Sequence, residues 1–225
     1  MKKYRALIAG AGRVGAGFNW NDLAYTHAGA MAYIHDRVEL IGFVDPSAER
    51  RDAAKRKWDV PASQFLWQGL EERPDIVSIC TGPDDRAEIL SQVDACPSVK
   101  ALWVEKPWRG MYPRQPVQVN YLRRADKDHR FIAEMRTAVS LIVYGKDDET
   151  TKCHFLDLAK FWGCKLDYRP FNGPCAYIAS GCAEAFHFFD NGGINPGECM
   201  KGMLENLLDH LDKGTPLYSP LERTV

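Results

Sequence analysis

Three glycines, Gly10, Gly12 and Gly15, constrain the fold of this chain more than any other feature of its sequence. They follow the short apolar segment YRALIA, residues 4–9. Apolar residues then recur at roughly helical spacing: Ala28, Met31, Ala32 and Ile34. The pattern predicts a strand, a tight glycine turn and a helix, which is the opening unit of a parallel sheet.

Apolar strands alternate with charged helices over the first hundred residues. Strands are predicted at 38–44, 75–81 and 100–104, with helices at 48–57 and 85–94. Ser47 precedes the first of these helices and can cap it. Strands that are apolar almost throughout are typical of a parallel sheet covered by helices on both faces. We therefore expect an α/β fold with an amino-terminal Rossmann-type domain.

A cluster of prolines and a glycine interrupts this pattern after residue 106. Four of them fall within ten residues: Pro107, Gly110, Pro113 and Pro116. We place the domain boundary near residue 115, which gives domains 1–115 and 116–225. Because a parallel crossover usually takes a dozen or more residues, strand 117–121 either joins the first sheet by a short connection or starts the second domain.

The second half predicts a reduced α+β domain. Its strands are expected at 140–145, 165–170, 175–180 and 184–190, with a helix at about 153–162. The last helix is strongly amphipathic. Its apolar face consists of Met200, Met203, Leu204, Leu207, Leu208 and Leu211. This helix could also pack back against the first domain.

Composition excludes several classes of protein. The formal net charge of the 225-residue chain is -1, which lacks the basic surplus of a nucleic-acid-binding protein. No apolar run approaches the roughly 18 residues of a membrane span. Seven scattered cysteines without a C-x-x-C pair indicate neither a disulfide framework nor a zinc site. We expect a cytoplasmic protein with reduced thiols and no bound metal.

The glycine pattern matches the G-x-G-x-x-G fingerprint of dinucleotide-binding turns. The first glycine permits the turn, the second allows close approach of a pyrophosphate, and the third lets helix and strand pack closely. Asp45 follows the second strand, where a carboxylate can accept hydrogen bonds from ribose hydroxyls. Its charge favours NAD over NADP, although Arg50 and Arg51 nearby could hold a 2′-phosphate.

Four segments, in this order, resemble the Gfo/Idh/MocA oxidoreductases, the group of glucose-fructose oxidoreductase and inositol dehydrogenase. They are DIVSICTGP at 75–83, WVEKPW at 103–108, VQVNYLRRADKDHR at 117–130 and CHFLDLAKFWG at 153–163. The chain is shorter than usual members after the last segment. The resemblance therefore implies a short member with a reduced carboxy-terminal domain.

The resemblance implies a cofactor site for NAD or NADP and a catalytic lysine. The cofactor-binding residues would be Gly10, Gly12, Arg13, Val14, Gly15, Asp45, Thr81, Gly82, Pro83, Glu105 and Lys106. Lys106 would lie beside both the nicotinamide and the substrate, with Glu105 orienting it and Pro107 fixing the turn in cis. The alternative is a surface Glu–Lys pair at a strand end.

The resemblance also implies a substrate side. His154 would be the second catalytic residue, because an imidazole can relay a proton near neutral pH. The substrate-binding residues would be Lys106, Tyr121, Arg123, Arg124, Lys146 and His154. Thr150 replaces an aspartate that many members carry four residues before the histidine. Asp147, Asp148 or Glu149 could substitute for it, or the histidine acts alone or merely satisfies a helix end.

Taken together, these features predict an NAD(P)-dependent oxidoreductase that transfers hydride between nicotinamide and a hydroxyl or ketone of a carbohydrate or sugar nucleotide. The alternative is a non-catalytic dinucleotide-binding sensor or regulatory protein derived from this family. The expected partners are small molecules, with neither nucleic acid nor membrane, and homo-oligomerisation is left open.

Overall fold

The structure, a computed structural model, describes residues 3–108, 112–135, 138–172, 176–181, 185–189 and 194–221. The strands in chain order are β1 (Tyr4–Ala9), β2 (Val38–Val44), β3 (Ala62–Ser63), β4 (Ile76–Ile79), β5 (Ala101–Val104), β6 (Val117–Val119), β7 (Ala138–Gly145), β8 (Lys165–Pro170), β9 (Ala176–Gly181) and β10 (Ala185–Phe189). The helices are α1 (Arg13–Ala16), α2 (His27–Tyr33), α3 (Ala48–Trp58), α4 (Leu66–Glu71), α5 (Arg86–Asp94), α6 (Lys127–Met135), α7 (Glu149–Trp162) and α8 (Pro196–Lys213). Two compact units result, one formed by Met1–Asn120 with Pro196–Val225 and the other by Tyr121–Asn195.

The first unit is built on a six-stranded parallel sheet with the order β3-β2-β1-β4-β5-β6. Its central strands β4 and β5 are buried at every position. That burial explains their continuous apolar sequence, since helices cover both faces. The order of strands reverses between β1 and β4, and a crevice at such a point is the usual ligand site of an open α/β sheet. The predicted α/β Rossmann fold is confirmed.

The predicted helix after the glycine turn is interrupted. Helix α1 is one turn long and ends at Gly17, whose φ of 74° is left-handed. A 3₁₀ turn at Leu23–Tyr25 follows, and α2 starts after Thr26, whose hydroxyl accepts a hydrogen bond from the backbone N–H of Gly29. The periodic apolar residues therefore belong to α2, which is separated from α1 by ten residues.

Strand β6 belongs to the first sheet. It pairs in parallel with β5, and residues 219–221 then form backbone hydrogen bonds along its other side. The predicted boundary near residue 115 lies before this strand, whereas the first compact unit continues to Asn120. Pairing with β5 accounts for the difference, because a strand with its hydrogen bonds in one sheet packs as part of that sheet.

Helix α8 is also part of the first unit and packs against α2 and β5. Its predicted apolar face is confirmed, with Leu211 partly exposed and the others buried: Met200, Met203, Leu204, Leu207 and Leu208. The buried amide of Gln118 on β6 donates to the side-chain oxygen of Asn206 on α8 at 3.0 Å. The last helix therefore lies outside the second compact unit, contrary to the division at residue 115.

The second unit has a four-stranded sheet with the order β10-β9-β7-β8. Strands β7 and β8 are parallel and joined through α7, whereas β9 is antiparallel to both β7 and β10. Helices α6 and α7 contribute to one apolar core with the sheet, consisting of Ile132, Leu141, Val143, Phe155, Leu158, Ala159, Trp162, Tyr177 and Ala179. This small mixed sheet confirms the reduced α+β domain.

Three short elements were not expected from the sequence: β3, α4 and α6. The first two are only two and six residues long, too short for a periodic signal. Helix α6 lies in a segment where acidic and basic residues alternate, which the sequence analysis did not assign to a helix. Helix α7 starts at Glu149 rather than 153, because the side chain of Asp148 caps it.

Candidate active site at the carboxyl edge of the first sheet

The residues that follow four parallel strands are aligned along one edge of the first sheet. Each is held there by a backbone hydrogen bond to the end of its neighbour. These bonds are Gly10 N to Val44 O at 2.7 Å, Cys80 N to Ala9 O at 2.7 Å, Glu105 N to Ile79 O at 2.9 Å and Asn120 N to Val104 O at 2.8 Å. The glycine turn, the Thr81 turn and the Glu105-Lys106 pair therefore share this edge.

The glycine turn has the geometry that each glycine was expected to provide. Gly10 has a φ of 102°, and a Cβ there would lie 2.8 Å from the backbone carbon of Cys80. A Cβ on Gly15 would lie 2.0 Å from the carbonyl oxygen of Gly10. In contrast, a Cβ on Gly12 would meet only the Arg50 guanidinium, at 3.9 Å. The turn thus packs tightly on the sheet at two glycines and is open at the third.

Arg13 and Val14 start helix α1 directly after this turn. The guanidinium of Arg13 is exposed and lies 4.5 Å from the centroid of the Trp20 ring. Since α1 is a single turn, it contributes backbone N–H groups rather than the macrodipole of a long helix. An anion at this turn would be bound mainly by those N–H groups.

Asp45 is buried against the glycine turn. One carboxylate oxygen accepts a hydrogen bond from the backbone N–H of Ala11 at 2.9 Å, and the other accepts from Ser47 at 2.9 Å. The residue is 2% exposed. Its carboxylate therefore ties the end of β2 to the turn, a structural role that the sequence analysis did not anticipate.

Arg50 and Arg51 differ in their surroundings. Arg51 donates to the carbonyl oxygens of Asp45 and Pro46, both at 2.8 Å. Arg50 is half-exposed, with its guanidinium 3.8 Å from the Asp45 carboxylate and close to Gly12. Arg50 is thus the arginine that lies at the open part of the turn.

The turn of Thr81, Gly82 and Pro83 follows β4. Within the described residues, the buried hydroxyl of Thr81 has no hydrogen-bond partner. The buried side chain of Arg86 donates to the carbonyl oxygen of Thr81 at 2.9 Å and to that of Pro107. Arg86 therefore joins this turn to the one after β5, and sequence reasoning missed it because the two turns are more than twenty residues apart.

Lys106 follows β5 and is held by its neighbour. Its ammonium nitrogen donates to an oxygen of Glu105 at 2.9 Å, and the side chains of these residues are 12% and 10% exposed. The bond between Lys106 and Pro107 is cis, as predicted. The pair is largely buried, so the alternative of a solvated surface pair does not describe it.

A group of buried polar side chains lies behind Lys106; we call Ser78, His27, Glu105, Asn120 and Lys106 the Glu105 cluster. The Nε2 atom of His27 is 3.0 Å from Glu105, and its Nδ1 atom is 2.5 Å from the hydroxyl of Ser78. The side-chain amide of Asn120 also donates to Glu105. His27 was given no role from the sequence, since nothing local links it to Glu105.

The negative charge of this cluster resides on Glu105. Burial alone would raise its pKa, but the Lys106 ammonium and the hydrogen bonds from His27 and Asn120 outweigh burial, so the pKa of Glu105 lies well below its usual range. Burial lowers the pKa of His27 despite the neighbouring carboxylate. Burial also raises the pKa of the nearby Cys80 thiol. We therefore describe the cluster as an ionised glutamate beside a neutral histidine.

The second unit carries the other predicted site residues. The rings of Tyr121 and His154 meet edge to face with centroids 6.2 Å apart, and both residues are partly exposed. Arg123 donates to the hydroxyl of Tyr177 at 3.3 Å and lies 4.8 Å from the centroid of the Phe155 ring. Tyr121, Arg123 and His154 thus each contact aromatic groups or hydroxyls within this unit.

Arg124 has a different environment from Arg123. It is 7% exposed, and its Nε and Nη2 atoms donate to the two oxygens of Asp157 at 2.9 and 2.6 Å. This bidentate pair joins the 3₁₀ turn at Leu122–Arg124 to α7. The pairing of Asp157 with Arg124 was not foreseen, because the two residues are 33 positions apart and no local pattern links them.

The acidic residues before His154 have partners of their own. Asp148 accepts hydrogen bonds from the backbone N–H and the hydroxyl of Thr151 at 2.7 and 2.9 Å, and Asp147 pairs with Lys152. Lys146 is exposed, and its carbonyl oxygen accepts a hydrogen bond from Tyr168 at 2.6 Å. The side chain of Thr150 lies outside the described residues.

Within the described part of the chain, no group of histidine, cysteine, aspartate or glutamate could hold a metal ion. The cysteines at 80, 96, 153, 164 and 199 are thiols, and Cys175 and Cys182 lie outside the described residues. Among the helices that are described, none is long and apolar enough to span a bilayer.

The six-stranded order and the glycine turn together define a dinucleotide-binding Rossmann domain. Residues 4–109 match the model of the Gfo/Idh/MocA family, described as an oxidoreductase family with an NAD-binding Rossmann fold. The dinucleotide-binding part of this chain thus belongs to the Gfo/Idh/MocA oxidoreductases, which confirms the resemblance seen in the sequence. No curated protein sequence matches the chain.

Solved structures with the same fold cover nearly the whole chain. UDP-N-acetylglucosamine 3-dehydrogenase GnnA from Acidithiobacillus ferrooxidans aligns with a TM-score of 0.77 at 13% identity, covering 98% of this chain and 92% of that one. The WlbA dehydrogenase from Bordetella pertussis, in complex with NADH and UDP-GlcNAcA, aligns with a TM-score of 0.74 at 13% identity, covering 97% and 91%. Scyllo-inositol dehydrogenase from Lactobacillus casei, with NAD(H) and scyllo-inositol, gives 0.69 at 12% identity, covering 97% and 92%. At such identities the likeness establishes a shared fold.

Proposed function

We propose that this protein is an NAD(P)-dependent oxidoreductase that interconverts a hydroxyl and a ketone on a sugar or sugar nucleotide. Its family supports redox chemistry with a nicotinamide cofactor. The structures with the same fold include dehydrogenases of UDP-N-acetylglucosamine and of scyllo-inositol. These relatives make a carbohydrate CH–OH group the natural choice of substrate class.

The single observation that carries the proposal is the placement of Lys106. Its ammonium group is largely buried, hydrogen-bonded to Glu105, and lies on the same sheet edge as the glycine turn. A positioned ammonium donor can polarise a substrate oxygen and stabilise the alkoxide character that develops as the adjacent carbon loses hydride. A surface lysine would not provide that stabilisation, because water would screen it.

The residues of this edge fit a dinucleotide. Gly12 opens onto space that a side chain would obstruct, and Thr81 has a buried hydroxyl without a partner within the described residues. The residues that would hold the cofactor are Gly10, Gly12, Arg13, Val14, Gly15, Asp45, Thr81, Gly82, Pro83, Glu105 and Lys106. When bound, the nicotinamide ring supplies the acceptor or donor of hydride.

Preference for NAD over NADP depends on two opposite charges at this site. Asp45 would repel a 2′-phosphate, and its carboxylate remains close to the turn even though Ala11 and Ser47 donate to it. Arg50 is half-exposed beside it and could hold such a phosphate. We propose NAD as the main cofactor, with Arg50 allowing some use of NADP.

His154 is proposed as the group that exchanges the hydroxyl proton. An imidazole can act as both acid and base close to neutral pH. In the second unit its ring contacts Tyr121, which would keep it from turning freely. Lys106 would act as a hydrogen-bond donor to the substrate oxygen.

Binding of a charged substrate group is proposed for Arg123, with Tyr121 and Lys146 as further contacts. The guanidinium of Arg123 stacks near two aromatic rings, an arrangement that orients its planar fork. Arg124 is the weakest of the proposed contacts, since Asp157 already binds it through two hydrogen bonds.

The test is turnover by the purified protein with NAD⁺ or NADP⁺ and a panel of inositols, sugars and nucleotide sugars, followed by absorbance of the reduced cofactor. Lys106→Ala should lower kcat by about 10²- to 10³-fold, the usual effect of removing one such donor. Cofactor Kd should change by no more than a few-fold. Lys100→Ala is the matched control, because Lys100 precedes the same strand at its opposite end and pairs with Asp75.

The alternative is a non-catalytic dinucleotide-binding sensor, which the reduced second unit and the absence of an aspartate at Thr150 favour. Cofactor binding without turnover of any substrate in the panel would support the sensor. In that case Lys106→Ala would have no activity to lose. Measurable turnover that disappears in Lys106→Ala but not in Lys100→Ala would exclude it.

A further inference from the structure

The side chains behind Lys106 form an unbroken chain of hydrogen bonds in the interior of the first unit. From the core outward it runs from the Ser78 hydroxyl to His27 at 2.5 Å, from His27 to Glu105 at 3.0 Å, and from Glu105 to Lys106 at 2.9 Å. Ser78 and His27 have no exposed surface. The chain therefore links a fully buried serine to the ammonium group at the sheet edge.

The chemistry of the partners determines which nitrogen of His27 carries the proton. An ionised carboxylate only accepts hydrogen bonds, so the Nε2 atom facing Glu105 must donate. The Nδ1 atom of a neutral ring is then an acceptor, and the Ser78 hydroxyl donates to it. The amide nitrogen of Asn120 also lies 3.4 Å from Nε2, but it donates to Glu105. Reversing the tautomer would set Nε2 against the carboxylate without a proton between them.

The His27 ring is also fixed by its surroundings. It is the first residue of α2, and Thr26 caps that helix. A Cβ on Gly29 would lie 1.8 Å from the carbonyl oxygen of Leu23, so the start of α2 is packed directly against the preceding 3₁₀ turn. The ring itself lies against Trp103 with centroids 3.8 Å apart. The packing of α2 and the contact with Trp103 thus both restrain the position of the His27 ring.

Apolar side chains could fill the space of His27 and Glu105 without any hydrogen bond, so packing of the core does not explain why polar residues are buried here. A buried carboxylate loses its hydration and is tolerated only when hydrogen bonds and an opposite charge replace the water. Here His27 and Asn120 supply the hydrogen bonds from inside, and Lys106 supplies the charge from outside. An apolar residue at position 27 would leave Glu105 with fewer donors and with freedom to change rotamer.

We propose that His27 is a positioning residue of this site: as a neutral Nε2–H tautomer locked between Ser78 and Glu105, it fixes the carboxylate that holds the Lys106 ammonium in place. The proposal rests on the proposed function for its catalytic consequence. The hydrogen-bonding arrangement itself is independent of that function and is measured separately. Lys106 and His154 keep the direct roles, and His27 acts only through Glu105.

The tautomer is measured on the unmodified protein by NMR of ¹⁵N-labelled histidine rings. The chain has six histidines, and the spectrum of His27→Gln identifies the signals of residue 27. We expect Nε2 to be protonated and Nδ1 to be unprotonated, without change across about pH 5.5 to about 8, where an ordinary histidine titrates. A Nδ1–H tautomer, or titration within that range, would overturn the proposal.

Two substitutions separate positioning from packing. His27→Leu fills the site but donates nothing, whereas His27→Gln can place an amide N–H near the position of Nε2. We expect kcat of His27→Leu to fall by about 10²-fold, since a displacement of about 1 Å can have that effect. Cofactor Kd should stay within a few-fold, and His27→Gln should recover most of the loss. Equal kcat values for both variants and the unmodified protein, or equal losses in both, would contradict the proposal.

Gln118→Leu is the matched control. Like His27, Gln118 is fully buried in the first unit and its side chain is hydrogen-bonded across elements, but it binds Asn206 on α8 rather than the Glu105 cluster. It should lower thermal stability without lowering kcat. A loss of kcat in Gln118→Leu as large as in His27→Leu would assign the effect to general loosening of the fold.

A third measurement distinguishes this proposal from the proposed function. Acylation of individual lysines by an amine-reactive reagent, followed by peptide mass spectrometry, reports how firmly Lys106 is held without requiring a substrate. We expect the rate at Lys106 relative to Lys100 to rise several-fold in His27→Leu and to remain unchanged in Gln118→Leu. If the protein turns over nothing but shows this rise, the oxidoreductase proposal fails and the positioning role stands. If turnover is found and the rise is absent, only the positioning role fails.

Discussion

In the part of the chain that the structure describes, each unit has a histidine buried between two hydrogen-bonding partners, and these two histidines differ in what they support. His27 in the first unit lies between Ser78 and Glu105. In the second unit, the Nδ1 atom of His129 is 2.6 Å from Asp126 and its Nε2 atom is 2.6 Å from the Tyr177 hydroxyl. Burial lowers the pKa of both rings against the pull of a carboxylate.

The two rings carry their protons on opposite nitrogens. His129 must donate from Nδ1 to the carboxylate of Asp126 and accept from Tyr177 at Nε2, whereas His27 donates from Nε2 to Glu105. Asp126 also accepts hydrogen bonds from the backbone N–H groups of Asp128 and His129, at 3.0 and 3.1 Å. Its carboxylate is thus occupied with the start of α6.

The comparison shows that a buried histidine–carboxylate pair is not by itself a sign of function. The Asp126 carboxylate stabilises a helix start, and the His129 ring stacks on Trp162 with centroids 5.6 Å apart. The Glu105 carboxylate instead holds an ammonium group at the carboxyl edge of the first sheet. What the carboxylate binds on its other side decides between a structural and a positioning role.

Neutralising the two carboxylates should separate these roles most clearly. Glu105→Gln removes the charge that holds Lys106, so we expect kcat to fall by about 10²-fold. Asp126→Asn should instead lower the free energy of unfolding by about 1–3 kcal/mol and leave kcat within a few-fold. Steady-state kinetics and urea unfolding of both variants measure this. Comparable losses of kcat in the two variants would remove the distinction.

Replacing the second histidine should affect stability alone. His129→Leu removes one hydrogen-bond partner from the Asp126 carboxylate and one from the Tyr177 hydroxyl, so we expect a loss of about 2–4 kcal/mol in the free energy of unfolding. Thermal unfolding monitored by circular dichroism measures it, with kcat measured at a temperature where the variant is folded. A fall of kcat comparable to that of His27→Leu would mean that His129 also acts on the site.

The smallest expected effect is a dependence of stability on pH that both histidines share. Their pKa values are lowered in the folded protein, so just below about pH 6.5 the unfolded chain binds more protons than the folded one. Above about pH 6.5 the two rings should therefore no longer make the free energy of unfolding depend on pH. As the pH drops below this value, the free energy of unfolding should fall by up to about 1.4 kcal/mol per pH unit for each ring. Urea unfolding at several pH values measures the slope.

His27→Leu and His129→Leu should each reduce this slope by an equal amount. Measurements above about pH 7.5 serve as the control, since both rings are then neutral in either state. A slope that is unchanged in one variant would show that its histidine keeps an ordinary pKa. If the two variants lose equal amounts of the pH dependence but only His27→Leu loses kcat, the two histidines share their electrostatics and differ in their role at the site.

Much of the first unit could be predicted because its signals are local. The glycines, the Ser47 cap and the continuous apolar strands each depend on residues a few positions apart, and the structure confirms them. The interruption of the helix after Gly15 was missed because Gly17 adopts a left-handed conformation that ends α1 early. A glycine in the sequence does not by itself predict that conformation. The strand that starts at residue 117 could be predicted, but the sequence did not show which of the two sheets it joins.

The amino-acid sequence by itself determined the Rossmann fold of the first domain, its glycine turn, the Glu105-Lys106 pair at a strand end, and the match of residues 4–109 to an oxidoreductase family. Only the tertiary structure decided that β6 and the last helix complete the first unit, that Arg124 pairs with Asp157, and that His27 is hydrogen-bonded to Glu105. His27 and Glu105 are 78 positions apart in the chain. Local periodicity and turn chemistry act over a few residues, whereas such a contact depends on how the sheet, α2 and β5 pack together.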